Sequence, residues 1–166
     1  MTEPHDDAPL AIASEQVRRA HLGEAPKPEV TAFFDEPTFT ASYVVADPAT
    51  KRAAIIDSVL GFDEKSGRTS TAAAAQILGF VRSHGLTVDW LLETHAHADH
   101  LSAAPWLQEQ LGGKLAIGRG ITIVQDVFGK VFNEGTEFRR DGSQFDHLFD
   151  DGDPFSVGNV AAVALH

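Results

Sequence analysis

The chain has 166 residues and a net charge of −11, from 13 Lys and Arg against 24 Asp and Glu. That balance argues against a phosphate-backbone partner, so no nucleic-acid role is expected; 43% hydrophobic and 22% charged residues describe a soluble globular chain of one domain. No apolar run approaches the ~20 residues of a membrane helix, so no membrane role is expected, and the lack of cysteine leaves His, Asp and Glu to hold any metal.

Residues 1–28 are polar, with prolines at 4, 9, 26 and 28, and read as an extension outside the core with one short helix in "SEQVRRAHLG". The acidic start "MTEPHDDAP" lacks the basic-then-apolar layout of a secretory signal, which leaves the cytoplasm as the default location. The remaining residues, 29–166, form the domain. "FTASYVVAD" and "RAAIID" are rich in β-branched and aromatic residues and read as strands joined by a hairpin turn in "DPATK". "STAAAAQILGFVRSHG" is helical: Ala74, Ile77, Leu78 and Val81 follow the i, i+3, i+4, i+7 spacing, and Gly85 suits a C-terminal cap.

"LTVDWLLET" is a largely apolar strand that runs into "HAHADH". A second helix follows in "SAAPWLQEQLGG", with Ser102 as cap, Pro105 in its first turn and a Gly pair at its end. "KLAIG" is a short strand. Residues 121–151 carry a weaker pattern, read as loops with one helix. "DPFSVGNVAAVALH" closes as a hairpin. The alternation of strands and helices predicts an α/β (α+β) arrangement, a sheet with helices packed on it. In such sheets functional groups gather at strand ends, where the histidines lie.

His95, His97, Asp99 and His100 are the candidate metal ligands. Alternate residues of an extended segment point the same way, so His95 and His97 converge on one ion. Asp99 and His100 come as the chain turns and face a neighbouring position. Imidazole nitrogen and carboxylate oxygen suit zinc, iron or manganese. Three histidines in six residues are hard to explain as packing, because buried ionisable groups are costly unless paired or coordinated. A closed structural zinc site is disfavoured, since such sites commonly use cysteine. His5, His21 and His147 read as surface residues, His84 as a helix-end residue favoured by the dipole, and Arg139 and Arg140 as a solvated pair that could also meet a substrate carboxylate.

"THAHADH" matches the H-x-H-x-D-H signature, and the chain thereby resembles the metallo-β-lactamase fold hydrolases over residues 29–166. Ala98, "LSAAPWL" and "IIDSVLGFDEKSGRTS" make it most similar to their persulfide dioxygenase and glyoxalase II-like branch. The resemblance implies an αββα sandwich, of which this chain supplies roughly the first half. In dinuclear members His95 and His97 would bind one ion and Asp99 and His100 a second; in mononuclear-iron members only His95 would come from this motif. Asp99 would also help position the nucleophile, and Asp57, at the end of "AAIID", would orient the motif loop by hydrogen bonds.

The implied cofactors are one or two divalent ions, Fe2+ or Zn2+. The implied partner is a small-molecule thiol adduct, glutathione persulfide or a glutathione thioester; a homodimer is left open. Family members continue with a "TPGH"-like turn carrying the next ligand, a bridging Asp and a final His. The expectation is therefore that the C-terminal part is absent, that His166 is not the missing ligand, and that "VAAVAL" lacks some of its neighbours. A metal-binding but catalytically inactive fragment is the competing expectation from another class.

Overall fold

The computed structural model describes residues 7–133 and 137–166. Helix α1 spans Ala8–His21, with Pro9 in its first turn, and has no buried residue; it packs against the last strand. A hairpin follows, β1 (Glu29–Asp35) and β2 (Thr40–Ala46), antiparallel from Glu29↔Ala46 to Asp35↔Thr40. Strand β3 (Arg52–Ile56) pairs antiparallel with β2 across the expected turn. Two short strands, β4 (Val59–Asp63) and β5 (Arg68–Ser70), then lead into helix α2 (Ala72–Ser83).

Strand β6 (Thr87–Leu92) lies parallel to β3. The histidine-rich segment comes next, then β7 (Leu101–Ser102), helix α3 (Ala104–Leu111) and β8 (Lys114–Gly118), parallel to β6. Helix α4 covers Ile121–Val131, β9 covers His147–Phe149, and β10 (Pro154–Val157) and β11 (Val160–Val163) form the closing hairpin. The main sheet has six strands in the order β1-β2-β3-β6-β8-β9, antiparallel at the hairpin end and parallel from β3 onward.

One face of this sheet is covered by α2 and α3. Val44, Ile55, Leu91 and Leu115 from the strands meet Ile77, Val81 and Leu107 from the helices in a single core. Each such side chain, taken wholly out of water, contributes about 1.5–3 kcal/mol. The spacing read for α2 is therefore the face it buries: Ala74, Ile77, Leu78 and Val81. Gly85 stops that helix at φ +62°, with its N–H on the Arg82 carbonyl and the Leu86 N–H on the Val81 carbonyl, the Schellman pattern.

Several local expectations need correction. Ser102 is not the cap of α3; Ala103 holds that position, although the Ser102 hydroxyl still accepts the Ala104 N–H at 3.0 Å. The stretch from 121 holds the one helix expected, three turns long, but also strand β9, because Ala116, Ile117 and Gly118 offer a parallel edge to His147–Phe149. His147 is accordingly not a loop residue; its ring lies against Trp90 and Phe149. His84 does sit at the helix end, where Nδ1 meets the Phe80 carbonyl at 2.9 Å. His5 lies outside the described residues.

Candidate metal centre

Both ends of the histidine segment are pinned by backbone pairing. At its start the Glu93 N–H donates to the Ala116 carbonyl, extending β6 by one rung onto β8. At its end β7 pairs with β4, Val59↔Ser102 and Leu60↔Leu101. Seven residues between these anchors, Thr94 to His100, turn at the carboxyl ends of the parallel strands. Asp57 ends the adjacent β3 and enters the same space in a left-handed conformation, φ +51°. A non-glycine residue holds that conformation only where its surroundings impose it. Here its N–H donates to the Leu92 carbonyl, and its own carbonyl accepts the Ser42 hydroxyl at 2.7 Å.

That backbone conformation aims the Asp57 carboxylate at the motif. Oδ1 accepts the Thr94 N–H at 2.8 Å, Oδ2 accepts the Thr94 hydroxyl at 2.7 Å, and His97 Nε2 lies 3.1 Å from Oδ1. The Thr94 hydroxyl has only one hydrogen. Having given it to Asp57, it receives the Nδ1–H of His95 at 2.8 Å, which leaves His95 Nε2 as an electron-pair donor. His97 Nε2 faces Asp57 and, at 2.8 Å, Glu93 Oε2, so the ring hydrogen sits there and Nδ1 keeps the lone pair. His100 Nδ1 meets the Leu101 carbonyl at 2.9 Å. Its Nε2 is buried and, among the described residues, has no hydrogen-bond partner.

Three imidazoles are thus held with one nitrogen engaged and the other turned to accept a cation. A buried nitrogen lone pair without a hydrogen-bond partner suits a cation. One potential ligand atom from each of Asp57, His95 and His97 lies within 4.8 Å of the others, and the same is true of His97, Asp99 and His100. In the first group the Asp57 oxygens already accept three hydrogens, so Asp57 fits an orienting place better than a ligand place. The ring centroids of His95 and His97 are 4.3 Å apart, and those of His97 and His100 are 4.2 Å apart. The donor set fits one or two divalent ions.

Asp99 is exposed, and its Oδ2 accepts the Thr40 hydroxyl at 3.1 Å. Its own backbone amide, then Thr40 and the neighbouring histidines, hold the carboxyl below the usual carboxylate range. Glu93 is the participant that the sequence did not reveal. It is only 7% exposed, contacts His97 and accepts the Ser102 hydroxyl. Burial pushes its carboxyl up to about 7, with the Ser102 hydrogen bond working in the opposite direction. The available signal was an acidic residue ending an apolar strand, since a carboxylate buried there needs partners.

Arg139, Arg140 and His166 make contacts outside the histidine cluster. Arg139 pairs with Asp141 at 2.9 Å, and Arg140 approaches Asp126 at 3.6 Å. The His166 N–H donates to Asp151, and its ring lies beside Gly120. A cavity of about 560 Å³ opens beside His95, His97 and His100, and its far wall is formed by α4, Phe138 and Phe145.

Sheet order, strand-end site and histidine spacing agree with one family: the chain belongs to the metallo-beta-lactamase superfamily, whose family model matches residues 35–166. Members of that superfamily bind one or two divalent metals. Among its relatives is a probable metallo-hydrolase of Burkholderia pseudomallei, 56% identical over 137 residues that make up 82% of this chain and 47% of that protein. A beta-lactamase hydrolase-like protein of Agrobacterium fabrum is 51% identical, over 83% of this chain and 32% of that protein. Glyoxylase B2 of Dictyostelium discoideum is 40% identical, over 81% and 46%. The chain thus spans about a third to a half of the length of these curated relatives.

Two solved structures share the fold. The crystal structure of ETHE1 from Myxococcus xanthus matches with a TM-score of 0.54 at 23% identity, over 80% of this chain and 45% of that one. A metallo-beta-lactamase from Staphylococcus aureus matches at 0.60 and 20% identity, over 86% and 35%. No helix among the described residues is long and apolar enough to cross a membrane.

Proposed function

We propose that this chain carries the principal metal-binding segment of a metal-dependent enzyme acting on a thiol adduct, in the persulfide dioxygenase mode with iron, dioxygen and a sulfite product. The observation that most supports a metal at this segment is the buried Nε2 of His100, unpartnered among the described residues, beside two imidazoles whose tautomers are fixed by hydrogen bonds. In the iron mode His95 would hold the ion together with ligands from outside this motif; in a dinuclear site His95 and His97 would hold one ion and Asp99 and His100 a second, with Asp99 also orienting the reacting molecule. When bound, a divalent ion supplies Lewis-acid polarisation, and iron adds reactivity toward dioxygen.

The protein's own residues prepare the site for that chemistry. Asp57 and Glu93 orient His97, Thr94 passes the pull of Asp57 on to His95, and the Leu101 carbonyl turns His100. Asp99, anchored by Thr40 and held ionised, presents negative charge toward the reacting group. The alternative is a zinc thioesterase, favoured by the 40% identity to a protein named glyoxylase B2. In that mode water adds to the thioester carbonyl and the acyl–sulfur bond breaks.

Metal analysis with oxygen uptake on glutathione persulfide separates the two. Iron in the purified protein and oxygen consumed with sulfite formed are the expected results. Zinc, no oxygen uptake and hydrolysis of S-lactoylglutathione would replace the dioxygenase reading with the thioesterase. Absence of metal and of both activities would leave an inactive fragment.

A further inference from the structure

The cavity beside the histidines is chemically two-sided. Its near end is the imidazole cluster with Glu93 and Ser102; its far wall is Ile117, Ile121, Val124, Phe128, Phe138 and Phe145. Two amides also line that wall, but they are already engaged. The Gln125 Nε2 donates to Gln144 Oε1 at 3.0 Å, the Gln125 Oε1 accepts the Gly142 N–H at 3.0 Å, and the Gln144 Nε2 donates to the Arg139 carbonyl at 2.6 Å. Among the described residues that line the cavity there is no Lys or Arg. The nearby arginines Arg119, Arg139 and Arg140 meet Asp150, Asp141 and Asp126 instead. At about 560 Å³ the space falls within the range that holds small ligands.

A charged peptide moiety would be desolvated against this wall with no cation among the described lining residues to meet it, whereas hydrocarbon would be drawn out of water. We infer that the α4 wall binds an uncharged hydrocarbon substituent of the substrate, an acyl or alkyl chain, with the reacting sulfur end at the histidines. This rests on the proposed function for the polar end only. The hydrocarbon specificity follows from the wall itself. Any glutathione portion of a substrate would then point away from α4.

The test is calorimetric binding of two unreactive thioethers, N-acetyl-S-ethylcysteamine and N-acetyl-S-octylcysteamine, to the metal-free and the zinc-loaded protein. Each methylene buried is worth about fourfold in affinity, so the octyl probe is expected to bind about tenfold or more tighter than the ethyl probe even with partial burial. Phe128→Ser, at a position 51% exposed and therefore tolerant of substitution, should cut that ratio about threefold or more. Ile123→Ser, on the outward side of α4 and 69% exposed, should leave the ratio unchanged. Equal affinity for the two probes would overturn the inference and mark the wall as a packing face for another stretch of polypeptide. Equal loss in both variants would also overturn it. Failure to take up zinc while the octyl preference persists would instead count against the metalloenzyme reading alone.

Discussion

Each imidazole of the cluster has one nitrogen committed, and the commitment decides which nitrogen can accept a cation. Asp57 makes two of these commitments, directly to His97 and through Thr94 to His95. Asp57→Asn keeps a residue type that tolerates the left-handed backbone but replaces one acceptor oxygen by a donor. It should leave the unfolding midpoint of the metal-free chain nearly unchanged and weaken zinc binding about 10–100-fold, read by competition with a chromogenic chelator. An equal affinity in the variant would show that Asp57 merely ends a strand. Glu93 offers a contrast. Its carboxylate is buried and charge there is costly, so Glu93→Gln should raise the midpoint of the metal-free chain while weakening zinc binding. A loss of both would assign it a structural place only.

Among the elements, α2 and α3 were legible because their apolar periods match the faces they bury. Leu107 of α3 is fully buried, and Leu107→Ala should cost about 2–5 kcal/mol in chemical denaturation. Strand β1 and the short β4–β5 hairpin are locally paired but mostly exposed and so carry no clear apolar period, whereas β9 was not legible because it exists only through pairing with the distant β8. The same reason hid Glu93 and Thr40: Thr40 meets Asp99 across 59 positions of sequence. The motif itself was readable from spacing alone, but the tautomers that suit it to a metal depend on neighbours from β3 and β7.

The closing hairpin depends on Asp47, 1% exposed, which accepts the Thr50 hydroxyl, the Asn159 N–H and the Ala49 N–H. The Thr50 hydroxyl, then the Asn159 amide, hold its carboxyl below the usual range. A depressed folded-state value means stability that is present above the unfolded value near 4 and lost as pH falls through the folded value. The midpoint of wild type should therefore exceed that of Asp47→Asn at about pH 6, and the gap should narrow as pH falls below the unfolded value of about 4. A gap independent of pH would contradict that role.

At the scale of the whole molecule, the six-stranded sheet supplies the carboxyl ends of β3 and β6, two rigid strand ends that bring Asp57 to the histidine segment, while α4 closes the cavity from the other side. The net charge of −11 also favours cations near the surface in general, so uptake of metal alone is a weak criterion; uptake that depends on the cluster is a strong one. The most direct test is calorimetric titration of zinc(II) and iron(II), at moderate salt, into the wild-type chain and into His97→Ala and His100→Ala. Saturable binding of one or two ions per chain is predicted, in keeping with the two overlapping ligand groups, with affinity lower by about tenfold or more in each variant. Binding that is unsaturable, or equally tight in all three proteins, would contradict the account.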